Sequence, residues 1–144
     1  MPRRPVSAAL HQWIELIQVY VQRFVHPPSG DIRLVRLWSI VEKDLAAAWT
    51  GVRLARAVHM SFEHLRRLCH RELGRSPKQH LTHLRLRLAS ERLLSTTDTL
   101  ETIARRVGYE NPYVFSARFK KWSGSSPSHF RQGALQKNES PQPE

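Results

Sequence analysis

Apolar residues recur at helical spacing along most of the chain, and no stretch alternates as a half-buried strand would, so the pattern predicts an all-α protein. Leu10, Trp13, Ile17, Tyr20 and Phe24 step by threes and fours, the rhythm of a helix seam, and Ile14 and Val21 widen it. His26–Gly30, HPPSG, breaks that helix, because proline lacks a donor and disfavours helix just before it. Asp31 can cap the next helix, whose apolar face is Leu34, Trp38, Val41 and Leu45. From Thr50 the elements shorten. Val52–Val58 reads as one compact helix ended by His59 and Met60. Ser61 caps the next, and Gly74 stops it. Ser76 then caps a long helix over Pro77–Leu94, with Pro77 at the first position, where its missing N–H costs nothing. Leu81, Leu84 and Leu88 lie on one face of it. Thr99 caps LETIARRV, which Gly108 ends; Asn111 and Pro112 open a helix that reaches Trp122. Gly124, Ser126 and Pro127 repeat the stop and restart, and the polar tail after Gln132 is expected to be disordered.

The second half repeats the first. LARAV, Leu54–Val58, matches IARRV, Ile103–Val107, at an offset of 49, and SFEHLRRLCHRELGRSP matches NPYVFSARFKKWSGSSP at an offset of 50. One residue has therefore been added in the second turn. Each unit is a helix, a short turn, a second helix, a glycine stop and an S-P restart: a helix-turn-helix, whose second helix can enter a major groove. Leu65 and Cys69 correspond to Phe115 and Phe119, each pair four apart on one face. Cys69 thus reads as a small buried hydrophobe rather than a reactive thiol. His80 matches Phe130, a packing position. His80 and His83 are three apart and could share a metal, but no third ligand has sensible spacing, so packing is the preferred reading. There is no G-x-S-x-G, no glycine-rich phosphate loop and no cluster of carboxylates, so neither an enzyme nor a cofactor is expected.

Charge changes the picture most. The chain has 144 residues, room for one domain or two very small ones, and a net charge of +11. Sixteen Lys/Arg against six Asp/Glu between Gly51 and Arg131 place +10 of that charge in the repeat. A basic, duplicated helix-turn-helix points to nucleic acid far more strongly than charge alone. From the second helix of the first unit Glu63, Arg66, Arg67 and Arg71 project outward; Asn111, Tyr113, Ser116, Ala117, Arg118, Lys120 and Lys121 line or flank the second. The lone cysteine excludes a disulfide framework. No apolar run nears the roughly 20 residues of a membrane span, and the basic start has no long apolar stretch behind it. A soluble cytoplasmic protein without a membrane partner is expected.

LARAVHMSFEHLRRLCHRELGRSP, the RLRLASERLL helix and IARRVGYENPYVFSARFKKWSGSSPSHFR together resemble the DNA-binding domain of the AraC/XylS family of bacterial transcription regulators, over Leu45–Arg131. IA-x-x-VGY, F-x-x-x-FK, G-x-SP and the terminal FR all sit in register. The resemblance implies two helix-turn-helix units (about 50–74 and 99–123) joined by a long helix (about 77–94) and reading adjacent major-groove segments of double-stranded DNA. It carries base reading to Glu63, Arg66 and Arg67 in the first unit and to Pro112, Tyr113, Val114 and Ala117 in the second. Phosphate candidates are Ser61, Arg71, Lys78, Asn111, Ser116, Arg118, Lys120 and Lys121. Ala117 stands where family members often carry arginine, so the first unit is expected to supply most base discrimination. RNA polymerase or a full-length regulator is the candidate protein partner. A linking helix of about 18 residues is roughly 27 Å long and suits reading helices about 34 Å apart. Residues 1–44 are expected to be an N-terminal helical segment, a sensor-domain remnant or linker, without the family's usual effector domain. Their first helix reads as a sensor-domain remnant or a fold-back onto the domain in preference to a self-sufficient dimer seam, two heptads being a weak coiled coil. The alternative function is an interaction or architectural module that partners a full-length regulator or binds DNA without choice; oligomeric state is left open.

Overall fold

A computed structural model describes residues 30–138, together with Trp13, Ile14, Leu16 and Ile17. Those four are helical; the rest of the segment expected as a helix over Leu10–Phe24, the break as far as Ser29 and the tail beyond Asn138 lie outside the described residues. From Gly30 onward the fold is all-α: α1 Ile32–Lys43, α2 Gly51–Ala57, α3 Phe62–Leu73, α4 Pro77–Ser95, α5 Leu100–Arg106, α6 Pro112–Ser123 and α7 Pro127–Asn138. The last helix continues beyond Gln132, so the polar tail is helical as far as it is described, a correction to the expected disorder.

Short polar side chains set every helix start. Asp31, Thr50, Ser61, Ser76, Thr99 and Asn111 each accept a hydrogen bond from a first-turn N–H, and Ser126 does the same for His129. At Ser76 the Gln79 side chain also accepts from the cap N–H at 2.8 Å, closing a reciprocal box. Gly74 and Gly124, at φ 69° and 82°, end α3 and α6 in the left-handed region, where a side chain would be strained. The two inter-helix turns match bond for bond. Met60 N–H donates to Ala55 C=O and Tyr109 N–H to Ala104 C=O. After that bond the second turn carries one more residue, Glu110, and this is where the sequence offset changes from 49 to 50.

Two cores form, one per unit. Leu34, Leu37, Trp38, Val41 and Leu45 pack with Leu54, Leu65, Leu68, Cys69, Leu81 and Leu84. Leu86, Ala89 and Leu93 pack with Ile103, Val107, Phe115, Phe119 and Phe130. Cys69 is fully buried, and burial pushes its thiol up to about 11. α4 therefore buries two faces. At about 100° per residue, Leu81 and Leu84 point roughly 140° away from Leu86, Ala89 and Leu93. The single apolar face expected from Leu81, Leu84 and Leu88 is thus half of the arrangement; Leu88 is partly buried and touches both clusters. The 3–4 spacing of Leu34, Leu37 and Val41 in α1 recurs as Leu86, Ala89 and Leu93 in α4. α1 does for the first unit what α4 does for the second. The first unit's core therefore begins upstream of Leu45, the boundary expected from sequence.

Two arginines close the inter-helix loops. Arg131 donates to the carbonyls of Leu93, Thr96 and Asp98 at 3.1, 3.2 and 2.7 Å, at the C-terminal end of α4. Arg85, half-buried on α4, donates to the carbonyls of Leu45 and Ala47, both at 2.9 Å, just before α2. Burial lowers the Arg85 pKa, yet two carbonyls hold its fork.

His80 takes the place of Phe130 in the repeat. In the second unit that ring meets Phe119, centroids 5.3 Å apart; in the first, Cys69 fills the place of Phe119 and His80 sits edge-on to Trp38 at 4.5 Å. Burial, with Arg75 nearby, lowers His80 to about 3, and its buried Nδ1 has no hydrogen-bond partner. A depressed histidine pKa favours folding above the unfolded value near 6.5 and loses that contribution as pH falls toward 3. His80→Phe should stabilise the protein by about 1 kcal/mol, removing an unpaired buried polar atom. Calorimetry should find melting raised by roughly 3–5 °C per kcal/mol. It should also find a smaller loss of stability between pH 7 and pH 5 than in the parent.

Candidate nucleic-acid interface

In each unit the second helix turns one stripe outward. Around α3, Leu65 and Cys69 point inward, and Arg67 lies close to diametrically opposite them, flanked by Glu63, His70 and Arg71, all exposed. Around α6 the inward pair is Phe115 and Phe119. The opposite meridian is Ala117, flanked by Tyr113, Lys120 and Lys121. Tyr113 is 84% exposed and Val114 47%. Arg66 and Ser116 lie toward one edge of the stripe, Val114 and Arg118 toward the other, and Pro112 opens α6 half-buried. His70, the counterpart of Lys120, and His64, the counterpart of Val114, are exposed on the same side. Neither is among the candidates read from the sequence, although the repeat register points to both.

The charges of the two stripes differ. Glu63 accepts from Arg66 at both oxygens, at 2.7 and 3.2 Å, which pulls its pKa down and raises that of Arg66. Two of the three base-reading candidates of the first unit are thus engaged with each other. Arg71 pairs with its neighbour Glu72 at 3.1 Å. Arg67, at the centre of the stripe, forms no salt bridge among the described residues, though its charge helps to lower the Glu63 pKa. On α6, Arg118, Lys120 and Lys121 likewise have none, and the helix carries no acid.

Polar candidates at the helix starts have other work as well. Ser61 Oγ accepts from His64 N–H at 3.2 Å, and Asn111 Oδ1 from Tyr113 and Val114 N–H at 2.9 and 3.3 Å. Ser61 keeps its hydroxyl proton and Asn111 its amide NH2 as outward donors. Lys78 is exposed in the first turn of α4. The described residues contain no group of three metal-ligating side chains and no helix long and apolar enough to cross a membrane. His80 and His83 are engaged in ring contacts, 6.2 Å apart.

Comparison with known proteins follows this geometry. A family model described as a helix-turn-helix domain matches residues 54–133, more than half of the chain. The lactose operon transcription activator of Staphylococcus xylosus is 38% identical over 78 residues, covering 54% of this chain and 28% of that protein. The raffinose operon transcriptional regulatory protein RafR of Pediococcus pentosaceus is 33% identical over 93 residues, covering 65% of this chain and 34% of that one. The chain thus spans about a third of the length of these curated relatives. Among solved structures, the C-terminal domain of AraT, a response regulator from Geobacillus stearothermophilus, is similar with a TM-score of 0.69 and 33% identity, covering 73% of this chain and 88% of that one. The DNA-binding domain of AdpA, solved with a target DNA, shares the fold at a TM-score of 0.70 and 22% identity, covering 75% and 98%. Duplicated helix-turn-helix units on a shared central helix, together with these relatives, place the chain in the AraC/XylS family of helix-turn-helix transcription regulators, to which it belongs through its DNA-binding domain.

Proposed function

We propose that the chain is a cytoplasmic transcription regulator that binds double-stranded DNA sequence-specifically, its two units lying in adjacent major-groove segments with unequal tasks. The observation that carries this reading is the pair of equivalent meridians: Arg67 in one unit and Ala117 in the other. Arg67 offers an unpaired fork that matches guanine O6 and N7. Glu63 holds Arg66 in a fixed geometry beside it, so the two act as one unit rather than as separate readers of cytosine and guanine. The second unit has no fork at its centre. Tyr113, Val114 and Pro112 offer apolar contact to thymine methyls, while Arg118, Lys120 and Lys121 neutralise phosphates. Ser61, Arg71, Lys78, Asn111 and Ser116 add phosphate contacts that fix register without reading sequence. A helix-turn-helix regulator domain is not an enzyme class, and no chemistry is assigned to it.

Sites selected from a random DNA pool provide the substrate for testing. Arg67→Ala should lower the ratio of specific to random-sequence affinity roughly 10- to 100-fold, the value of one bidentate base contact. Preference that survives in Arg67→Ala but vanishes in Tyr113→Ala would reverse the assigned roles.

Lys120→Ala and Lys121→Ala should weaken binding to all sequences alike. Each should reduce the slope of log affinity against log salt by about one. A parent protein whose affinity is flat with salt would remove phosphate neutralisation, and with it this mechanism.

A further inference from the structure

Among the described residues α4 is the element that joins the two units over any breadth: α2 and α3 pack on each other and on α4, and α5 and α6 do the same on its other side. A single helix alone would leave the second unit free to swing and roll about it. Two bridges run along the seams on either side, one a guanidinium bonded to the first unit and packed against the second, the other a hydrogen-bonded file of rings. In one, the Arg85 guanidinium holds the Leu45 and Ala47 carbonyls of the first unit while lying beneath the turn of the second. It fits so closely there that a Cβ on Gly108 would come within 2.8 Å of Arg85 Cζ. Gly108 sits at φ 97°, a backbone conformation that favours glycine.

In the other seam runs a file of four rings. Trp38 of α1 meets His80 edge-on at 4.5 Å; His80 lies 6.2 Å from His83; His83 meets Trp122 of α6 at 6.0 Å. Trp122 Nε1 donates to His83 Nδ1 at 3.2 Å, which places the His83 proton on Nε2. His83 and Arg85 are two residues apart on α4 and so project about 200° from each other. The bridges therefore oppose motion in opposite directions. The Phe130 position shows that the repeat itself asks only for a packing ring at His80; the bond from His83 to the other unit is an addition to the repeat.

We infer that these two bridges lock the separation and twist of the two reading helices, and that Arg85, His83 and Trp122, which lie off the reading stripes, decide which spacing of DNA half-sites the protein accepts. The inference rests on the reading that both units engage one duplex. Adding one base pair between half-sites moves the second by about 3.4 Å and rotates it by about 34°. A locked pair cannot follow that displacement, whereas a hinged pair can.

Trp122→Phe removes one N–H and keeps the ring; Arg85→Lys keeps the charge and loses the fork. Both, and their combination, are made in the full chain and compared in two measurements. The first is the distance distribution between spin labels at Val52→Cys and Glu101→Cys in the free protein; Cys69, buried in the first core, stays unlabelled. The second is affinity for a selected site and for versions with one base pair inserted or removed between half-sites. The parent should show a narrow distribution and lose about tenfold or more in affinity per base pair, the double variant a broad distribution and a loss within about threefold. A folded double variant that keeps both the narrow distribution and the parent's spacing profile overturns the lock. Should the double variant not melt cooperatively, Trp122→Phe alone decides, by an intermediate profile or by none. Failure of the DNA reading looks different: the parent then selects no duplex at any spacing, while the distance measurement still settles the lock.

Discussion

One helix has to complete two hydrophobic cores at once. Leu81 and Leu84 of α4 close the first unit, and Leu86, Ala89 and Leu93, about 140° around the same helix, close the second. Neither unit can bury its apolar residues without α4, so the reading helices are positioned by the same packing that makes each unit stable. Two apolar faces leave only narrow seams between the units. Those seams are where Arg85, His80 and His83 sit, polar enough to meet water at one edge and held by carbonyls or rings at the other.

Because the seams are polar, the charge of the chain is not the charge of the outward stripes on α3 and α6. Arg85 and Arg131 each bind two or three backbone carbonyls and act as structural donors. Arg66, Arg87, Arg105 and Arg106 meet Glu63, Glu42, Glu101 and Asp98. These exposed pairs contribute little stability, but they orient the side chains and lower the net field around both units. What remains without a carboxylate partner on the reading helices is Arg67 on α3 and Arg118, Lys120 and Lys121 on α6. The asymmetry that the Arg67–Ala117 register implies is thus repeated in the electrostatics: one central guanidinium against one diffuse positive helix.

Much of this architecture was legible in the chain, because caps and stops are local. Ser61, Ser76, Thr99 and Asn111 sit immediately before apolar periodic runs, and Gly74 and Gly124 just after them, so helix limits follow from chemistry within a few residues. The repeat register placed Leu65, Cys69, Phe115 and Phe119 inside and Arg67 and Ala117 outside, and all six positions lie where it put them. α1 was harder to place, since its match to α4 lies in a 3–4 spacing of leucines and valine rather than in residue identity. His64 and His70 were missed on the reading helix because isolated histidines carry no pattern; only the register with Val114 and Lys120 reveals them.

By itself the sequence determined most of the helices, their order, the two-fold duplication and the outward face of α3 and α6, because periodicity and capping act over a few residues at a time. Tertiary structure decided how the units are joined. Whether α4 has one apolar face or two depends on what packs against it from both sides. Whether an arginine meets a phosphate, a carboxylate or a buried carbonyl depends on loops some forty residues away, as Arg85 and Ala47 illustrate. Those contacts are non-local, and nothing in the spacing of neighbouring residues encodes them.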